Sequence, residues 1–258
     1  MATHFLTRAF PIALLSALAC LCAPLAQARD YVPVDQLGNG SSTHAPAPAR
    51  PKAASARASQ RPAPRSAASY VTPSGAIKLF GTVEFQRPLS SLPGWLDVLR
   101  RNQAEPVFIP SKYFNKSTSW GDLKSSLDGK GSMERLRLVN SFWNRWKYIE
   151  DMANWGKADY WAIPAQFIPR SGDCEDYAIA KYFTLKEIGF DPEKMRIVVL
   201  RDTVRNLAHA VLAVYLDGDV YILDNLSNVV LSHRQLGNYL PQFSVNEYGR
   251  WSHVKGKS

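Results

Sequence analysis

The stretch SGDCEDYAIAKYFTLKEIG, Ser171 to Gly189, sets a cysteine among acids: Cys174 follows Asp173 and precedes Glu175 and Asp176. A cysteine nucleophile acts as its thiolate, and neighbouring negative charge opposes loss of the thiol proton. Either Cys174 is not a nucleophile, or a cation joins the group. An isolated cysteine can also be a small buried hydrophobe, but three acids are the wrong neighbours for an apolar pocket.

Two further residues complete a chemical set. His209 lies in NLAHAVLAV and Asp224 in YILDNLSN, on either side of Asp217-Gly218. That dipeptide between β-branched runs is a two-residue hairpin signal. If the chain turns there, Leu216 pairs with Asp219, His209 lies opposite Leu226, and Asp224 lies opposite Val211. Asp224 is then the diagonal neighbour of His209 on one sheet face, within side-chain reach. A loop one residue longer would send them to opposite faces.

Cys174 falls at the start of a helix, where unpaired N–H groups and the helix dipole favour an anion and lower a thiol pKa. Cysteine would attack, His209 would take and return the proton, and Asp224 would orient the imidazole. The Cys174 backbone N–H is the default oxyanion donor, with Trp161 and Gln166 as candidates for a second. Each member has a plainer alternative. His209 could be a satisfied core histidine, and Asp224 could cap a strand end. A zinc site is conceivable, but one Cys with scattered His lacks the usual ligand spacing. His233 and His253 have no comparable acidic partner in the sequence.

These residues need elements to carry them. Leu92, Trp95, Leu96 and Leu99 predict a first helix, and the Trp-rich run Met133 to Gly156 predicts a longer one closed by Gly156. Asp159 to Pro169 reads as a loop broken by Pro164 and Pro169. Asp173 to Ile188 reads as the next helix, with Asp173 at its N-cap, a buried face of Ala178, Ile179, Tyr182, Phe183 and Ile188, and Gly189 after it. Strands follow at MRIVVLRD, HAVLAVYL and VYILDNL. Helices first and strands afterwards predict an α+β fold with an antiparallel sheet.

Only part of the 258-residue chain belongs to that body. Residues 1–28 read as a signal peptide, with Arg8, an apolar run, and Ala26-Gln27-Ala28 as the cleavage site. A retained anchor or a lipoprotein at Cys20 or Cys22 are the competing readings. Cleavage would leave Cys174 as the one cysteine, unable to pair internally in an oxidising compartment. Residues 29–75, rich in Ala, Pro, Ser and Arg, read as a disordered tether. Residues 76–258 hold all seven Trp and are sized for one domain. Leader and tether carry five of the nine net positive charges, so the folded part lacks the basic excess of a nucleic-acid binder.

The segment WGKADYWAIPAQFIPRSGDCEDYAIAKYFTL, with NLAHAVLAV and YILDNLSN in that order, resembles the bacterial transglutaminase-like cysteine proteinases, over roughly residues 75 to 250. The resemblance implies a transglutaminase/papain-like fold, with Cys174 as nucleophile, His209 as base and Asp224 as orienting acid. It implies Ca²⁺ held by Asp173, Glu175 and Asp176, which would supply the missing cation. Carboxylate oxygens suit Ca²⁺, although acids in a first turn also simply complement the helix dipole. The resemblance further implies a periplasmic endopeptidase acting on the N-terminal region of a large biofilm adhesin, near paired alanines. Its implied partner is an inner-membrane receptor for cyclic di-GMP that sequesters the protease. Alternatives are a transglutaminase-type acyl transferase, since a thioester can be taken by an amine, and a non-catalytic calcium-binding adhesin-docking module.

Overall fold

The computed structural model describes residues 77–256. The signal-peptide, anchor and tether readings concern residues 1–76, outside that range. Among the described residues no helix is long and apolar enough to cross a membrane. The elements are β1 (Thr82–Arg87), α1 (Pro93–Ala104), α2 (Trp120–Leu127), α3 (Ser132–Trp143), α4 (Asp151–Trp155), α5 (Pro164–Arg170) and α6 (Cys174–Glu187). Strands β2 (Met195–Asp202), β3 (Leu207–Leu216), β4 (Asp219–Asp224), β5 (Ser227–Ser232), β6 (Tyr239–Val245) and β7 (Arg250–Lys255) follow.

The fold is α+β. Its seven strands form one sheet in the order β1-β7-β6-β2-β3-β4-β5, and every pairing is antiparallel. The β3–β4 hairpin turns through Asp217 and Gly218, both at positive φ (49° and 79°), the backbone a tight two-residue hairpin turn requires. Leu216 pairs with Asp219 and Leu212 with Leu223, the register that the spacing predicts.

Residues alternate across the sheet. Ile197, Leu212, Val214 and Leu223 join the large core beneath the helices, while Val198, Val211, Ala213, Val220 and Ile222 build a second cluster with Leu79 and Tyr239 on the other face. Helix α6 packs on β2, β3 and β4, and α3 packs on α6 and β5. Every residue of α6 from Asp176 to Leu185 is buried. It is a central helix enclosed on all sides, not one with a single core face.

The long Trp-rich helix is not continuous. Helix α3 stops at Trp143. Tyr148 then forms a parallel bridge with Gly172, and the Ile149 N–H donates to the Gly172 carbonyl at 2.9 Å. This tertiary pairing draws the backbone out of the helix, yet the Trp146 ring still packs on Phe142, Trp143 and Phe167. Gly156 does end a helix, at φ 64°, but that helix is the five-residue α4. The predicted loop over 159–169 contains α5. Pro164 occupies its first turn, where a missing N–H costs nothing, and Phe167 is fully buried. On α1, Val98 is buried and Leu96 is 39% exposed, so the packed face is rotated from the predicted stripe. Strands β1, β5, β6 and β7 and helix α2 are additions to the sequence reading.

Candidate active site

Cys174 is the first residue of α6. Asp173 sits at the N-cap position with extended backbone, but its carboxylate makes no capping bond. The approach to the helix is tightly constrained. Ser171 adopts φ 64°, ψ −167°, a region nearly reserved for glycine, and is held by its own N–H to the Phe167 carbonyl and by Asn154 Nδ2 on its carbonyl. Next to it, a Cβ on Gly172 would sit 2.0 Å from Asp176 Oδ2. The chain must therefore be glycine where it passes this acid.

His209 and Asp224 meet. His209 Nε2 lies 2.9 Å from Asp224 Oδ1, and both side chains are buried. Asp224 also accepts from the Leu226 N–H at 2.9 Å, so it caps the strand end as well as holding the imidazole. The Tyr239 hydroxyl donates to Asp224 Oδ2 at 2.6 Å. Burial opposes ionisation of Asp224, but the bonds from His209, Tyr239 and Leu226 outweigh it and hold its pKa below the ordinary carboxylate value. With Nε2 facing Asp224, Nδ1 is the ring nitrogen left for proton transfer.

The nucleophile approaches the same strand. The backbone amide of Ala210, the residue after His209, acts on the Cys174 sulfur from β3 and draws its pKa down. The thiol itself donates to Glu175 Oε2 at 3.2 Å. Burial pushes the Cys174 pKa far up, and the carboxylates of Glu175 and Asp173 add to it. The conflict visible in the sequence is thus real in three dimensions: these acids hold the thiol in its neutral form.

The acids themselves are short of partners. Asp176 is fully buried; its Oδ1 accepts from the Ala162 N–H at 2.6 Å, while Oδ2 has no partner among the described residues. Burial, with Asp173 beside it, raises its pKa to about 9. Burial likewise raises Asp173 and Glu175, with the Glu175 charge adding to the rise at Asp173 and the Asp176 charge to that at Glu175.

Two acids that the sequence reading did not single out join the group. Asp151, at the start of α4, is 3% exposed; one oxygen accepts from the Tyr160 N–H, and the other has no partner among the described residues. Asp159 lies in the loop before α5. Asp151, Asp173 and Asp176 bring carboxylate oxygens within 4.8 Å of one another, as do Asp151, Asp159 and Glu175. Five carboxylates with unpartnered buried oxygens at Asp151, Asp173 and Asp176 fit a hard divalent cation such as Ca²⁺. Asp173, Glu175 and Asp176 all belong to this cluster. Asp151 lies 22 residues before Asp173 in the chain, which is why local spacing did not reveal it.

The other sequence candidates are engaged elsewhere. Gln166 accepts from Arg101 Nη1 at 2.6 Å and from the Ile163 N–H at 3.2 Å, and donates to the Tyr160 hydroxyl at 2.9 Å. It ties the loop to α1. Trp161 Nε1 donates to Asp159 at 3.2 Å. His253 is a satisfied core histidine between Thr82 and Ser244. His233, expected to lack an acidic partner, accepts from the Phe80 N–H and lies 3.6 Å from Asp219.

A thiol at the mouth of a buried helix, beside a strand that presents a histidine to a carboxylate, is the arrangement of a papain-like thiol hydrolase. The family of bacterial transglutaminase-like cysteine proteinases (BTLCP) matches residues 116–258, and the chain belongs to that family. Among solved structures, LapG of Legionella pneumophila in a calcium-bound form is 32% identical, covering 63% of this chain and 90% of that one with a TM-score of 0.50. The EGTA-treated form is also 32% identical, covering 63% and 87% with a TM-score of 0.50. A comparison with curated proteins returned no match. The protein is a transglutaminase-like cysteine protease.

Proposed function

We propose that the protein is a periplasmic, calcium-dependent endopeptidase that cleaves the N-terminal region of a large surface adhesin with a Cys174–His209–Asp224 triad. The observation that carries this reading is the buried 2.9 Å contact between His209 Nε2 and Asp224 Oδ1.

His209 Nδ1 takes the thiol proton, Cys174 attacks the scissile carbonyl, and the imidazolium returns the proton to the leaving amine. Asp224 keeps Nε2 protonated and balances the positive charge that forms. The Cys174 backbone N–H, in the first turn of α6, is the donor that would meet the developing oxyanion. Water then resolves the thioester.

Asp151, Asp159, Asp173, Glu175 and Asp176 are the residues that would hold Ca²⁺. The calcium-bound form of the Legionella LapG relative supports this assignment. When bound, the ion would supply the positive charge that these acids otherwise deny the thiol. Glu175 accepts the hydrogen bond of the thiol, and Asp176 anchors the loop through Ala162. An inner-membrane receptor for cyclic di-GMP that sequesters the protease belongs to the same proposal, carried by the family resemblance.

The test is incubation of the purified protein with N-terminal fragments of large surface adhesins, in Ca²⁺ and in EGTA, with fragments read by mass spectrometry. Cleavage in Ca²⁺ alone, lost in Cys174→Ala, is expected. Cross-linked products would replace the hydrolase reading with acyl transfer, and cleavage by Cys174→Ala would move the nucleophile elsewhere.

A further inference from the structure

The sheet face turned away from the helices is unevenly covered. Leu79, Val198, Val211, Val220 and Ile222 close one part of it. Beside them lies a groove of about 380 Å³, between the β2–β3 turn, the β4–β5 turn and the loop after β5. Its apolar walls are Val204, Ile222, Leu226, Val229, Leu231 and Leu236, and Asp224 and Tyr239 line it as well. Val204 is 80% exposed, Val229 61% and Leu226 43%. Three large apolar side chains left open to water around one concavity mark a binding surface.

The carboxylates of the groove are already engaged. Asp202 Oδ1 accepts from Asn238 Nδ2 at 2.9 Å and from the Val204 N–H at 3.0 Å, and its other oxygen lies 3.7 Å from Arg205 Nε. Asp224 is held by His209, Tyr239 and the Leu226 N–H. What the groove offers an occupant is therefore mainly aliphatic contact.

The chain itself arrives at this face. Traced back from β1 at the sheet edge, it turns through Leu79–Gly81. There the Phe80 N–H donates to His233 Nδ1 at 3.0 Å, and the Phe80 ring stands edge-on to Tyr239 with centroids 6.0 Å apart. Ile77, where the described chain begins, packs on the cluster that contains Ile222, Tyr239 and Leu236, three residues of the groove lining. The sequence ahead of it holds no Val, Ile, Leu, Met, Phe, Tyr or Trp from Gly38 to Ser69, and then presents Tyr70 and Val71 together. Thr72-Pro73-Ser74-Gly75 follows, with proline and glycine at the second and fourth positions that a type I turn favours. From Val71 to Ile77 the chain can span about 20 Å when extended, enough to turn and still reach the groove.

We propose that Tyr70 and Val71 occupy this groove: the segment ahead of the domain folds back at Thr72–Gly75 and lays both side chains against Leu226, Val229 and Leu231, as a strap across the sheet face at Asp224. A segment tied to the domain at Ile77 docks without the translational cost of a separate partner, which favours it over a second chain. One aromatic and one β-branched side chain suit an aliphatic surface whose carboxylates are satisfied. The strap keeps water from the groove side of the Tyr239–Asp224 bond, and its seating does not depend on the chemistry at Cys174.

The experiment uses the full chain with p-benzoylphenylalanine at position 70, irradiated, digested and mapped by mass spectrometry. The benzophenone should join position 70 to the 226–231 segment of the same chain, at a yield independent of protein concentration. Val229→Glu places a charge in the groove at an exposed position of the edge strand β5, where the fold tolerates it. It should cut that yield roughly tenfold. Thermal unfolding gives a second readout. Tyr70→Ser combined with Val71→Ser should lower Tm by roughly 4 °C, and should lower it no further when Val229→Glu is already present. Adducts lying outside the groove would overturn the proposal, as would a full additional loss of Tm in the Val229→Glu background. Adducts to a second chain would overturn it too, and make the groove an interface between copies.

Discussion

Tyr239 and His209 divide one carboxylate between them: the phenol takes Asp224 Oδ2 at 2.6 Å and the imidazole takes Oδ1 at 2.9 Å. The Tyr239 ring also stands edge-on to the imidazole, with centroids 5.8 Å apart. One of the two neighbours of the base, Tyr239, therefore comes from β6, a strand that the sequence reading did not include.

Tyr239→Phe keeps the ring and removes the donor. It leaves a buried carboxylate oxygen unsatisfied, which costs on the order of 1–3 kcal/mol. Activity should fall with KM little changed, and urea unfolding should show the loss of stability. A variant with parental kcat and stability would mean that the Asp224 orientation is set by His209 and Leu226 alone.

The acid cluster predicts a thermal signature of metal. Ca²⁺ at one hundred times its Kd should stabilise the fold by about 2.7 kcal/mol, and EGTA should reverse the shift. Asp151→Asn tests the ligand that lies far from Cys174 in sequence. Its melting temperature should no longer respond to Ca²⁺, whereas a full response would remove Asp151 from the site.

Ser171→Gly should stabilise the protein. The φ of 64° with ψ of −167° costs a serine roughly 1–3 kcal/mol; glycine accepts it but adds freedom to the unfolded chain, which returns part of the gain. Calorimetry should show a raised Tm. A lowered one would mean that the serine side chain contributes more than its backbone costs.

His253 predicts an acid-side instability. Burial drops its pKa from 6.5 to about 4, and the ring bridges Thr82 and Ser244. Between those values the unfolded chain binds the extra proton and the folded one does not, so stability rises with pH there. The contribution is fully present above pH 6.5 and is lost as pH falls toward 4, on the order of 3 kcal/mol in total. Chemical unfolding of the parent and His253→Gln at pH 7.5 and pH 4.5 should show the gap between them shrinking at the lower pH. A constant gap would rule out the linkage.

Much of the site was legible because it depends on local rules. Asp217-Gly218 dictates a tight turn, and the turn dictates that residues 209 and 224 share a face. Cys174 begins its helix as the apolar pattern from Ala178 onward requires. What escaped was long-range. Asp151 reaches the cluster only because Tyr148 and Ile149 leave the helix to pair with Gly172, and no periodicity within 133–156 encodes that departure. The Pro-containing run after Asp159 concealed α5 because proline in a first turn is invisible to a rule that treats it as a breaker. The buried Lys181 carried a readable signal: it lies between Ala180 and Tyr182 in the mostly apolar run from Tyr177 to Leu185.

The clearance at Gly172 has an architectural result. One methyl group there would strike Asp176 at a distance no packing tolerates. Because the same residue receives the Ile149 N–H, the backbone could yield only by pushing away the segment that leads to Asp151. Alanine at this single position would prise apart the two walls of the acid nest without altering any of the groups that line it.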